Sequence, residues 1–108
     1  MTTYVSVAAE RDVRPGRARS VEVGAVSLLL CNVDGDIYAV ADVCTHDRGP
    51  LGEGRLRGAA IECPRHGARF DVRDGSVLTP PAIRPLPTYA TRVVDGQVEV
   101  LVPEEASP

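Results

Sequence analysis

Both histidines and two of the three cysteines of this 108-residue chain fall in two short segments, Cys44-Thr45-His46 and Cys63-Pro64-Arg65-His66. Thiolate sulfur is a soft ligand and imidazole nitrogen a borderline one, so this concentration points to a metal centre. Nothing else in the chain gathers the groups that acid–base chemistry or a small-molecule substrate would require. Sixteen residues separate the two segments, so each must sit on its own loop and offer one sulfur and one nitrogen.

The third cysteine, Cys31, lies in the apolar run Leu28-Leu-Leu-Cys-Asn32 and reads as a small buried side chain. Four-thiolate ligation of an iron–sulfur cluster is thereby excluded. Zinc accepts two Cys and two His, usually as a Cys-x-x-Cys pair followed by a His pair, whereas here each segment mixes the two types; zinc stays open as an alternative. A two-iron cluster with unlike ends needs one thiolate from each loop on one iron and one imidazole from each loop on the other. Cys44 with Cys63, and His46 with His66, supply that arrangement. With two ferric ions, two sulfides, two thiolates and two neutral imidazoles the charge sums to zero, which makes adding an electron easier than in an all-thiolate cluster.

Loops of this kind must be held by a frame, and its turns are marked by three Asp-Gly pairs at 34–35, 74–75 and 95–96. Asp-Gly favours the positive backbone angles of tight hairpins. Strands are predicted at 26–33 and 37–41 around the first pair and at 91–94 and 97–102 around the last, with a weaker hairpin of 68–72 and 76–78 around the middle one. Residues 4–8 and 20–23 add two more strands, and 10–14 has room for a single helical turn. No segment keeps a helical period over three turns, so the fold class is all-β. Residues 44–58 and the proline-rich 79–87 do not read as strands, and long loops in a small domain are usually functional.

Composition narrows the function further. The chain is long enough for one core, so 1–108 is expected to be a single domain. With four aromatics, that core must be assembled from Val, Leu, Ile and Ala. Acidic residues outnumber basic ones by 15 to 12, a balance that argues against nucleic-acid binding. No apolar run approaches the ~18 residues of a membrane span, and the N-terminus carries no export signal. An odd cysteine count fits a reducing, cytoplasmic setting.

The ligand segments and their flanks resemble the Rieske proteins, whose signature is Cys-x-His, a spacer, then Cys-x-x-His. The resemblance continues through Leu51-Gly-Glu-Gly54, His66-Gly67, Phe70-Asp71 with Gly75, and Thr79-Pro-Pro-Ala82, and covers about residues 43–102. It implies a Rieske-type antiparallel β-sandwich base (1–42 and 85–108) and a small tip (about 43–84) of two ligand loops and a proline-rich loop. It implies one [2Fe–2S] cluster on Cys44, His46, Cys63 and His66, with the histidines toward the surface as the electron's entry and exit. A chain of 108 residues leaves no room for the mononuclear-iron domain of an oxygenase. The resemblance is therefore to a ferredoxin, not itself an enzyme, that carries an electron from a flavoprotein reductase to the terminal oxygenase of an aromatic-ring dioxygenase or a related oxygenase. A small Rieske subunit of a nitrite reductase-type complex is the alternative within the family, and a zinc-stabilised interaction domain the alternative outside it.

Respiratory-chain relatives carry an extra disulfide at the positions of Gly49 and Arg65, and hydroxyl donors at those of Ala68 and Phe70. Without these donors the potential is expected near the low end of the Rieske range, about −150 mV. Gly49 and Gly67 are expected to bring backbone N–H groups up to the sulfurs. Pro80 and Pro81 are expected to form a lid over the cluster, Asp47, Arg48 and Arg65 to serve as docking charges, and the tail 104–108 to be frayed.

Overall fold

Two of the Asp-Gly pairs turn the chain as tight hairpins require. Asp34 and Gly35 (φ 53° and 98°) and Asp95 and Gly96 (φ 51° and 76°) stand in the left-handed region at both central positions, the signature of a type I′ turn. In this computed structural model, which describes residues 2–52 and 54–103, eleven strands follow one another with one 3₁₀ turn (Glu10–Asp12) after the first. They are β1 (Thr2–Ala9), β2 (Ala18–Val23), β3 (Val26–Val33), β4 (Asp36–Ala41), β5 (Arg55–Arg57), β6 (Ala60–Glu62), β7 (Arg69–Asp71), β8 (Val77–Thr79), β9 (Thr88–Tyr89), β10 (Thr91–Val94) and β11 (Gln97–Pro103). All pairings are antiparallel, in three sheets ordered β1-β11-β10, β2-β3-β4-β9 and β5-β6-β7-β8.

The middle sheet is the divider. Along β3, Leu28 and Leu30 face one core with Val98, Val100 and Val102 of β11, while Leu29 and Cys31 face a second core with Ile61, Phe70, Cys44 and Cys63. A strand covered on both faces reads as a continuous apolar run, which is why Leu28–Cys31 shows no alternation; β11, covered on one face, alternates strictly.

Three short strands escape the sequence reading. β5 lies inside the stretch 44–58 that was expected to be strandless, and β6 and β9 were not anticipated. Each spans only two or three residues, too few to display a period of two, and β5 alternates exposed Arg55 and Arg57 around half-buried Leu56. Gly58, at φ 58°, opens the two-residue turn between β5 and β6. The Asp74-Gly75 hairpin also differs from a tight turn, since only Gly75 is left-handed (φ 80°) and a five-residue loop joins β7 to β8. There Gly75 N–H donates to the Asp71 carbonyl (2.7 Å), and the Gly75 carbonyl accepts from Leu86 N–H (2.8 Å). A Cβ at Gly75 would run into the Leu86 carbonyl, so this glycine lets the proline-rich segment lie against the hairpin. The tail 104–108 lies outside the described residues.

Candidate metal centre

The two cysteine segments close in the same way. Cys44 N–H donates to the Gly49 carbonyl and its own carbonyl accepts from Arg48 N–H (both 2.7 Å); Cys63 N–H donates to Ala68 (2.7 Å) and Cys63 accepts from Gly67 N–H (3.1 Å). In each loop the fourth residue after the cysteine is left-handed, Arg48 at φ 64° and Gly67 at φ 75°. Glycine occupies such a position freely, whereas a non-glycine residue is uncommon there. The loops differ in where they place the histidine, two residues after Cys44 and three after Cys63.

The first loop is anchored to the frame. The Asp42 carboxylate, at the end of β4, accepts from Leu51 N–H and Gly52 N–H through Oδ1 and from the Ser20 hydroxyl through Oδ2 (2.8 Å each). A side chain at Gly52 would strike the Ser20 hydroxyl, and one at Gly54 the Glu62 carbonyl, which explains the glycines of Leu51-Gly-Glu-Gly54. Asp42 and Ser20 were missed from sequence, where an Asp closing a strand carries no distinguishing signal. In the third loop the Arg84 carbonyl accepts from the Thr45 hydroxyl (2.6 Å), while Ala82 and Leu86 pack into the core that holds the cysteines. Ala82 and Leu86 are thus the buried side chains of this loop, while Pro80 and Pro81 are exposed.

All four expected ligands come together at this end. Cys44 and Cys63 are buried and His46 and His66 exposed, with the imidazole centroids 5.0 Å apart in an edge-to-face arrangement. The sulfurs lie within 4.8 Å of one another and of an Asp47 carboxylate oxygen, and the imidazole nitrogens stand in the same relation to Asp47. Burial raises the Cys44 thiol pKa, opposed by the backbone N–H groups of Asp47 and His46 directed at its sulfur. A metal ion favours the thiolate that burial disfavours, so the donor set fits a thiolate-bound metal. Cys31 is of another kind: burial, then the charge of Asp42, pushes its pKa up to about 12, so it stays a neutral packed thiol. The expectation for Gly49 and Gly67 is corrected, because their N–H groups go to Asp47 Oδ1 (2.8 Å) and the Cys63 carbonyl and not to sulfur.

Asp47 and Arg65, expected as docking charges, face each other. Arg65 Nε and Nη2 donate to Asp47 Oδ2 (2.5 Å) and Oδ1 (3.1 Å), and Nη1 donates to the Pro50 carbonyl (2.9 Å). This pairing holds the Asp47 carboxyl well below the usual carboxylate range and raises Arg65, with Gly49 N–H adding to the first effect. Of the three expected charges only Arg48 has no ion-pair partner among the described residues.

Paired sulfurs beneath, paired imidazoles at the surface and twin loops on an antiparallel frame define a small iron–sulfur protein of the mixed-ligand kind. The chain belongs to the Rieske [2Fe-2S] domain family, whose model matches residues 3–90. Its cofactor is accordingly a Rieske-type [2Fe–2S] cluster, which sets aside the zinc alternative. The chain is 40% identical to ferredoxin CarAc of Metapseudomonas resinovorans over 98 residues, 90% of this chain and 92% of that one. Among solved structures it is similar to the Sphingomonas yanoikuyae B1 ferredoxin (30% identity, TM-score 0.89, 94% of this chain and 100% of that one). It is also similar to a chain in a complex of reduced oxygenase and oxidized ferredoxin in carbazole 1,9a-dioxygenase (40% identity, TM-score 0.85, 90% and 91%).

Proposed function

We propose that this protein is a ferredoxin that carries one electron to the terminal oxygenase of an aromatic-ring dioxygenase or related system, taking it from a flavoprotein reductase. The reading rests on one observation above all: two buried thiols and two exposed imidazoles meet at one end of the frame in a chain whose relatives are oxygenase ferredoxins. In this proposal Cys44 and Cys63 bind one iron and His46 and His66 the other, on a tip of about residues 43–84. The sequence limits of the third sheet, 55–79, support that division. When bound, the cluster supplies reversible one-electron chemistry at a site with no substrate.

The chain's own side chains do the rest. Phe70, Ile61, Leu29 and Ala82 exclude water from the sulfur side, while His46 and His66 leave the other side open to a partner. Around that opening, Arg48 and Arg84 line a groove beside Thr45 and Pro85, and Ile83 stands 88% exposed. An exposed apolar side chain beside cations that have no ion-pair partner among the described residues suits brief contact with successive partners. Among the described residues no helix is long and apolar enough to cross a membrane.

Replacing His66 by Cys tests the ligand assignment. The visible spectrum is expected to move toward that of a more thiolate-rich cluster and the potential to fall; an unchanged spectrum and potential would remove His66 from the iron. Reconstitution with reductase and oxygenase tests the role, product formation requiring this chain. Isolation in a lasting complex with a catalytic subunit would instead favour the nitrite reductase-type alternative.

A further inference from the structure

The two ligand loops are separate in sequence, and among the described residues no main-chain to main-chain hydrogen bond runs from one loop to the other. What joins them most closely is one side chain. Arg65, in the second loop, reaches across to the first with three donors, two to the Asp47 carboxylate and one to the Pro50 carbonyl. The other side-chain contacts between the loops are looser: Cys63 Sγ and His66 Nε2 lie 3.9 Å and 3.8 Å from Asp47 Oδ2, and the His46 and His66 rings stand 5.0 Å apart.

Gly49 makes room for this bridge. A Cβ there would come within 2.6 Å of the guanidinium carbon and within 2.8 Å of two of its nitrogens. Gly49 is not among the residues at positive φ, so its backbone does not call for glycine and the constraint is one of space. Meanwhile Asp47 Oδ1 also accepts from Gly49 N–H, which ties the carboxylate to its own loop. Asp47 is half-buried and Arg65 exposed, so the pair stands at the surface within reach of screening by salt.

We propose that Arg65 is a positioning residue: with Gly49 as its seat and Asp47 as its anchor, it closes the two ligand loops on each other and sets how long the cluster is retained. The proposal rests on the ligand assignment above. A planar five-donor guanidinium is the group that can grip a carboxylate with two bonds and a carbonyl with a third, and lysine cannot reproduce that fork.

The test uses the intact holoprotein and follows loss of visible absorbance in excess iron chelator. Arg65→Met and Gly49→Ala, made separately, are each expected to speed that loss about tenfold, the scale of losing charge-assisted hydrogen bonds. Combined, they are expected to do no more than either alone, because without the guanidinium there is no bridge left for the added methyl to displace. Arg65→Lys should recover part of the retention, and the reduced-state EPR lines of Arg65→Met should broaden as ligand geometry becomes less uniform. Parental retention in either single variant, or effects that multiply in the double variant, would overturn the proposal. The unmodified protein gives a reading even where a variant fails to fold: raising salt from about 0.05 to 1 M should speed its cluster loss as screening weakens the bridge, and a salt-independent rate counts against it. A parent that binds no two-iron cluster counts against the ligand assignment; a normal parental cluster retained equally in Arg65→Met counts against the bridge alone.

Discussion

Ala68 and Phe70 sit completely buried in the same core as Cys44 and Cys63. Neither side chain carries a donor, so the sulfur environment lacks two hydroxyls that would stabilise the added negative charge of the reduced state. Ala68→Ser and Phe70→Tyr are therefore each expected to raise the reduction potential, measured by voltammetry on protein that keeps its full visible spectrum. An unchanged potential in both would mean that hydroxyls at these positions do not reach the sulfurs. The same paired segments that announce the metal in the sequence leave Asp47 looking like a solvated surface charge, because its partner Arg65 is eighteen residues away and meets it only after folding.

Hairpins are the elements that carry the loops, and that of β7 and β8 has an electrostatic fastening. Asp71 accepts from Arg73 N–H (2.9 Å), Nε (3.0 Å) and Nη2 (2.8 Å), and the ion pair with Arg73 lowers its pKa from the ordinary 3.8. Protonation thus favours the unfolded chain, and this contribution is full above about pH 3.8 and is lost as pH falls through the lowered value. The urea midpoint of the parent should decline with acid below that point, and Asp71→Asn should start lower at neutral pH and show a shallower acid decline. Equal acid profiles would show the pair to be without effect. Asp74, held low by the Ser76 N–H, acts in the same direction.

For the molecule as a whole, the two faces of β3 separate stability from cluster holding. Leu29 and Leu30 are adjacent and both fully buried, yet Leu29 packs with the cysteines and Leu30 with β11. Leu29→Ala and Leu30→Ala are each expected to lower unfolding stability by about 2–5 kcal/mol. Only Leu29→Ala should also hasten cluster loss at temperatures where both remain folded, as read by absorbance beside far-ultraviolet circular dichroism. Equal cluster loss in the two would mean that the cores act as one.

From the amino-acid order alone came the two Cys/His segments that the fold brings together, the all-β class, two tight Asp-Gly hairpins and the long strands, because each of these is written in neighbouring residues or in a period of two. The ranges 26–33 and 91–94 match β3 and β10 residue for residue. Strands of two or three residues could not be read that way, nor could the sharing of the middle sheet between two cores, since a run buried on both faces looks the same whatever covers it. Tertiary structure alone decided that Asp42 anchors the first loop, that Ala82 and Leu86 pack into the core that holds the cysteines, and that Arg65 bridges to Asp47. Such contacts join residues far apart along the chain, and nothing local in the sequence marks one carboxylate or one apolar side chain as the partner chosen.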